Sequence, residues 1–358
     1  MNMIEELFGL AVASAPTKAL KIYQADGSVY TTRLSLNVLL IAPFGATKSS
    51  FLNAVETTGY GVKVDEYSLP AIIGTIKKSG EVVKGFVTKS AGKVLLIDEF
   101  QKFGKREKEA LLSLMEDHQF TRTLGYKIAP PVHIDEEFYS LHGEENYFTL
   151  KVRNAFIIAT MEFKKRTIED KALLSRAFPL VLNPSKEDAY GLITRGTSFK
   201  LPKAINDWYE KAYNATVELP LETGEYLATK YKELTENTML ELGFITRGMM
   251  DIARIAGMIA VIDGRTQITK DDINHALKYV PIQILGYNLG YLTPAELEVY
   301  SIIAKHPEGI RQKQIINHST YSKRAVIDAI ATLLGTGIIK QVKMGKAVYY
   351  YSVGGMNE

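Results

Sequence analysis

Residues 36–52 read LNVLLIAPFGATKSSFL, and the order of residue types within this stretch decides the fold. Val38 to Ile41 form an uninterrupted aliphatic run, as a strand buried on both faces requires. Ala42, Pro43, Phe44, Gly45, Ala46 and Thr47 follow at once, then Lys48 and Ser49, with a helix starting near Ser50. A strand, a tight loop and a helix N-terminus in that order make a phosphate cradle, because backbone N–H groups converge from the turn and the helix dipole adds positive potential. Pro43, Phe44, Gly45, Ala46, Thr47, Lys48, Ser49 and Ser50 are therefore read as the nucleotide-binding segment. Lys48 is expected to reach the β and γ phosphates and Ser49 to ligate Mg²⁺. The general pattern has Gly where this chain has Ala42 and Thr47, and a Cβ at either place narrows the approach of a phosphate.

A second aliphatic run ends in acids. Residues 93–103 read KVLLIDEFQKF, so Val94 to Ile97 form a strand with Asp98 and Glu99 at its C-terminal end. Open α/β sheets bind ligands at that end. Asp98 is expected to hold Mg²⁺ through water, and Glu99 to orient and polarise the attacking water. ATP and Mg²⁺ are the cofactors these two segments imply.

The chain has 358 residues, enough for two or three domains, and at 46% hydrophobic and 23% charged it has the composition of a globular protein. No apolar stretch approaches the ~18 uncharged residues of a bilayer span, so no membrane partner is expected. The opening MNMIEELFGLAVASAP is short of basic charge and reads as an amphipathic helix rather than an export signal, which predicts a cytoplasmic protein. Cysteine is absent, which excludes disulfides and thiolate zinc sites. A net charge of +3 means that any nucleic-acid-binding surface must be local.

Strand runs at 38–41, 94–97, 155–160 and 180–182 alternate with helical patterns, which predicts a parallel α/β core over residues 1–184. From 185 to 285 the pattern is of helices only, at 202–215, 222–236 and 246–262 and over 270–279 behind the capping residue Thr269. After a loop at 286–290, residues 291–355 read as three helices and a hairpin around Met344-Gly345-Lys346, a winged helix-turn-helix.

A P-loop sheet, a helical lid and a winged helix in series resemble the AAA+ ATPases, and in detail the minichromosome maintenance (MCM) helicases, from about residue 5 onward. Ala46-Thr47-Lys48 is similar to that family's P-loop, Ile97-Asp98-Glu99-Phe100-Gln101-Lys102 to its Walker B string, and the helix with Leu112, Met115 and Glu116 to the one that follows. LPAIIGTIKKSGEVVKGFVTKSAG at 69–92 resembles its helix-2 insert hairpin. Leu173-Leu174-Ser175-Arg176 resembles its arginine-finger motif, and Ile245-Thr246-Arg247 its sensor 2. The sensor 1 strand ends at Thr160 where the family has Asn, and the family's large N-terminal region has no counterpart, so a compact relative is expected.

The resemblance implies a ring, most simply a hexamer, in which Glu99 and Thr160 act on the nucleotide of their own subunit, Arg176 acts on a neighbour's, and Arg247 reaches a γ-phosphate. It also implies DNA as partner, single-stranded or duplex. Candidate contacts are Lys77 and Lys78 at the insert hairpin tip, Arg122 and Lys127 in a second hairpin over 119–154, and Lys323, Arg324, Lys343 and Lys346 in the C-terminal unit. Eight Lys/Arg stand against five Asp/Glu over 291–358, an excess that suits DNA or a protein surface equally. The acidic stretch at 132–146 lacks tight ligand spacing and reads as a solvated loop. Competing functions are an AAA+ replication initiator or DNA-bound switch, a MoxR-type protein-remodelling ATPase, and an inactive paralogue.

Overall fold

The computed structural model describes residues 3–41, 48–79, 81–124, 138–142, 147–160, 168–181, 199–236, 238, 240–289, 292–345 and 347–352. Five parallel strands form the central sheet: Val38–Ile41, Gly61–Lys63, Val94–Ile97, Ala155–Thr160 and Phe178–Val181. In chain order they lie 5-1-4-3-2, so the first strand sits between the fourth and the fifth. Val38 pairs with Ile157 on one side and Phe178 on the other.

Pleating sends alternate side chains to opposite faces. Val38, Leu40, Val94, Leu96, Ala155 and Ile157 join one core, packed under the N-terminal helix Met3–Ser14 and the long helix Leu242–Ile262. Leu39, Ile41, Leu95, Ile97, Phe156 and Ile158 join the other, packed on the helix Lys105–Asp117. Both faces are dry, which is why these strands read as unbroken aliphatic runs.

The segment between the first two motifs is built as expected: short helices Leu69–Ile73 and Phe86–Lys89 bracket a hairpin of Thr75–Ile76 on Val82–Val83. A second antiparallel sheet takes Gln119–Thr123, Tyr147–Lys151 and Tyr139–His142 in that order. The middle of that insertion, with His133 and most of the acidic residues, lies outside the described residues.

Two expectations are corrected. Residues 185–285 are not helices only, since Thr216–Leu219 is a strand that pairs in parallel with Ala19–Tyr23 near the N-terminus. Alternation over TVEL is too short to separate from a helical turn in sequence, and the partner strand lies some two hundred residues away. The anticipated loop at 286–290 is also largely helical, because the helix Val280–Leu289 runs through Gly286. Gly286 is required for close approach rather than for a turn: a Cβ there would overlap the Pro179 carbonyl oxygen. The helices Leu221–Thr235, Leu242–Ile262 and Lys270–Ala276 match the reading closely, and Thr269 closes a capping box with Asp272.

The C-terminal unit runs helix Pro294–Ala304, strand Ile310–Arg311, helix Gln312–His318, helix Lys323–Gly335 and the hairpin Ile339–Met344 on Ala347–Ser352. The two-residue strand, unseen in sequence, pairs with the hairpin's last strand. Glu298 accepts hydrogen bonds from Ser319 Oγ, Thr320 N and Thr320 Oγ1, which fixes the turn ahead of the third helix. No helix among the described residues is long and apolar enough to cross a membrane.

Gly286→Ala forces either the helix or the Phe178–Val181 strand to shift, because the obstacle is backbone. A loss of roughly 1–3 kcal/mol is expected, read as a lower urea midpoint at unchanged m-value.

Candidate active site

Strand order decides what meets. The first strand is followed in the chain by the edge strand on one side and the fourth by the edge strand on the other, and open α/β sheets bind ligands at the C-terminal ends where strand order reverses in this way. Lys48 opens the helix Lys48–Glu56 and is buried. Ser49 Oγ donates a 2.8 Å hydrogen bond to Asp98 Oδ2, so the ends of two motifs forty-nine residues apart converge. A hydroxyl beside a carboxylate is an all-oxygen donor set of the kind Mg²⁺ selects. Ser50, next along the helix, is half-buried. The loop residues Pro43, Phe44, Gly45, Ala46 and Thr47 lie outside the described residues.

Glu99 sits in the left-handed region with φ 56° and ψ 55°. For a non-glycine residue this costs of order 1–3 kcal/mol and is characteristic of functional sites. The turn brings its carboxylate onto Lys102 as an ion pair. The hydrogen bond to Glu99 raises the Lys102 ammonium above its ordinary pKa. Thr160, buried at the end of the middle strand, donates to Gln101 Oε1 at 3.3 Å, which ties that strand end to the segment carrying Glu99.

A second cluster occupies the opposite, N-terminal edge of the same sheet. Buried Asn37, immediately before the first strand, donates to the carbonyl of Arg176 at 3.0 Å and to that of Met115 at 3.4 Å, and accepts from Phe156 N. This anchors Arg176 between the helix Ile168–Leu174 and the strand Phe178–Val181. The Arg176 guanidinium lies 2.7 Å from Glu116 Oε2 and donates to Ala172 O at 2.9 Å. Arg247 pairs with the other oxygen of Glu116. It lies in the second turn of the helix Leu242–Ile262, not at its opening as read from sequence. One carboxylate thus holds both arginines.

Behind them Arg33 donates to the carbonyls of Ser35 and Arg176, and Arg254 donates to the Arg33 carbonyl at 3.3 Å and to Asp251 Oδ1 at 2.7 Å. Burial, then the Arg254 charge, draws the Arg33 guanidinium well below its usual pKa, while burial raises the Asp251 carboxyl against the pull of both arginines. Four guanidinium groups are gathered around Glu116 and Asp251. Lys18 and Asp117, which line the adjoining cavity of about 650 Å³, offset one another. The cluster keeps a positive excess.

The first strand has four residues, or ~13 Å of rise. Arg247 shares its surroundings with Arg176, beside the start of the first strand, and not with the Ser49–Asp98 pair.

The AAA lid domain family matches residues 232–281, which cover the end of the helix Leu221–Thr235, all of Leu242–Ile262 and Lys270–Ala276. Over 194 residues the chain is also 28% identical to the Holliday junction branch migration complex subunit RuvB of Oenococcus oeni. That likeness covers 51% of this chain and 55% of RuvB, so the chain spans about half the length of the curated relative it matches. The lid match and the five-stranded parallel sheet with its helices fit an α/β AAA+ fold.

Within that AAA+ architecture the expected DNA contacts are dispersed. Lys77 and Lys78 are exposed on the insert hairpin, where Lys77 pairs with Glu81 at 2.8 Å. Arg122 is half-buried opposite Phe148, and its Nη1 is enclosed with no hydrogen-bond partner among the described residues. Lys323 and Arg324 are exposed at the start of the third C-terminal helix and Lys343 on the hairpin, while Lys127 and Lys346 lie outside the described residues.

Arg33, Asn37, Lys102 and His118 were not singled out in sequence. The legible signal was at the end of the helix Lys105–Asp117: Glu116 and Asp117 stand in its last turn, where the dipole disfavours anions by ~0.3–1 kcal/mol. His118 then takes the left-handed cap that Gly or Asn usually fills. Glu116 serves the arginine cluster, and His118 lines the cavity beside it.

His118 Nε2 is hydrogen-bonded to Ser35 Oγ at 2.9 Å. Burial first, then the charges of Arg33, Arg254 and Arg153, lowers its pKa to about 3. The folded chain keeps it neutral where the unfolded chain, titrating near 6.5, takes up a proton. Stability is thus full above about pH 6.5 and falls on acidification toward pH 3, by at most ~1.4 kcal/mol per pH unit. His118→Asn, which tolerates the left-handed cap, is expected to flatten the fall between pH 6.5 and 5 by up to ~2 kcal/mol in urea titrations.

Proposed function

We propose that this chain is a ring-forming, DNA-dependent ATPase motor of the MCM-like kind, acting in the cytoplasm as a homo-oligomer, most simply a hexamer. The observation that carries this reading is the division of catalytic groups between the two edges of one sheet. Lys48, Ser49, Asp98 and Glu99 gather at the C-terminal edge, and Arg176 and Arg247 at the other. A head-to-tail ring brings the second set of one subunit onto the first set of the next.

Bound Mg²⁺-ATP would supply the phosphoryl group. Ser49 and Asp98 would hold the cation, Lys48 the phosphate chain, and Glu99 would turn from Lys102 to orient a water. Arg176 and Arg247 of the neighbouring subunit would stabilise charge on the transferring group. The C-terminal unit is read as a winged helix, with Lys323 and Arg324 presented by its third helix and Lys343 by its wing, and the exposed Lys77 and Lys78 as the grip on a DNA backbone.

The likeness to RuvB favours a second reading in which the track is duplex or junction DNA. ATP hydrolysis measured at several protein concentrations, with single-stranded, duplex and four-way-junction DNA, separates the two. Turnover per subunit is expected to rise with protein concentration and with DNA, and to fall at least ~10²-fold in Glu99→Gln and in Arg176→Ala. Stimulation by single strands favours the MCM-like motor, and preference for duplex or junction the RuvB-like one. Turnover indifferent to protein concentration and to every DNA would falsify both.

A further inference from the structure

We propose that Glu116 is a positioning residue for the shared site, a resident anion that holds Arg176 and Arg247 as a pair at the geometry a neighbour's nucleotide needs. This rests on the ring-ATPase reading above.

Three observations carry it. Glu116 bridges two arginines from separate elements, one in the turn ahead of the strand Phe178–Val181 and one on the lid helix, using one oxygen for each. Its place in the chain is locally unfavourable, in the last turn of a helix and beside a second acid, so helix formation gives no reason for an acid there. The contact with Arg176 is close but poorly aligned: Glu116 Oε2 and the Arg176 Nε are both enclosed, 2.7 Å apart, yet neither makes a hydrogen bond of acceptable angle. A misaligned ion pair holds its partner in place while giving it up readily to a more highly charged oxyanion.

The cluster behind supports the same role. Arg33 and Arg254 leave a positive excess, so Arg176 and Arg247 would repel one another and the inner arginines without Glu116 between them. The Arg33 and Asn37 contacts fix only the backbone of Arg176, and its Ala172 contact uses one guanidinium nitrogen. Arg176 Nη1 also meets Ser175 Oγ at 3.3 Å, and Glu116 is what turns its Nε edge and Arg247 toward a common point. It also couples the lid helix to the finger segment, so that movement of the lid is felt at Arg176.

Glu116→Gln keeps the shape and removes the charge. Displacing a pair of catalytic guanidinium groups by about 1 Å costs roughly 10²-fold in turnover, with half-saturating ATP little changed, because the nucleotide's own Lys48–Asp98 site is intact. A structural defect confined to one subunit would not be repaired by mixing, whereas a role toward the neighbour is. Equal amounts of Glu116→Gln and Glu99→Gln subunits, each inactive alone, create junctions where wild-type Glu99 faces wild-type Glu116. These make up about a quarter of all junctions in a randomly mixed head-to-tail ring. Recovery to about that fraction of wild-type turnover is expected.

Arg176→Ala mixed with Glu99→Gln is the companion experiment. If that mixture recovers and the Glu116→Gln mixture does not, Glu116 has no role toward the neighbour and the ring reading stands. If neither recovers, the shared site itself fails. A Glu116→Gln protein within twofold of wild type also overturns the proposal. Should that variant unfold, Glu116→Asp, which keeps the charge but shortens its reach to both arginines, takes its place in the same mixtures.

Discussion

Everything chemical in this molecule is arranged by the burial of one short strand. Val38–Ile41 is covered on both faces and paired on both edges, so it cannot move, twist out or be extended without opening two cores at once. Its C-terminal end delivers Lys48 and Ser49 to Asp98, and its N-terminal end, through Asn37, delivers Arg176 to Glu116. The two sets stand at opposite ends of the same hydrogen-bond ladder. Rigidity of the sheet keeps them apart within a chain, and on the proposed reading a second copy is what joins them.

Charge is handled differently at the two edges. At the C-terminal edge the carboxylates of Asp98 and Glu99 are satisfied by a hydroxyl and an ammonium. At the arginine edge the excess is positive, and the cost of bringing guanidinium groups together is met by burying carboxylates among them. His118 stays neutral in that field, so the edge loses stability when the pH falls. The lid helix takes part in both the packing and the charge balance, with Gly257 against Leu34 and Arg254 against Arg33.

Much of this was legible in the order of residues. The aliphatic runs at 38–41 and 94–97, Lys48-Ser49 after the first, and Asp98-Glu99 after the second all report local requirements: burial on two faces, a helix start, acids at a strand end. The capping box at Thr269 and the hairpin at 75–83 were equally local. The strand at 216–219 and the helix running through Gly286 were not, because their reasons lie in Ala19–Tyr23 and Pro179, remote in sequence.

The C-terminal edge was readable from local order, since an aliphatic strand leading to Lys48-Ser49 and an acidic strand end are each written in a dozen contiguous residues. The arginine edge took shape only in three dimensions. That Arg176 and Arg247 share Glu116, and that Arg247 lies away from its own chain's Ser49 and Asp98, follow from strand order and helix docking. Ion pairs between residues sixty to one hundred and thirty positions apart leave no pattern in a sequence, because a charge can be satisfied from any direction whereas a strand or a turn must be satisfied by its neighbours.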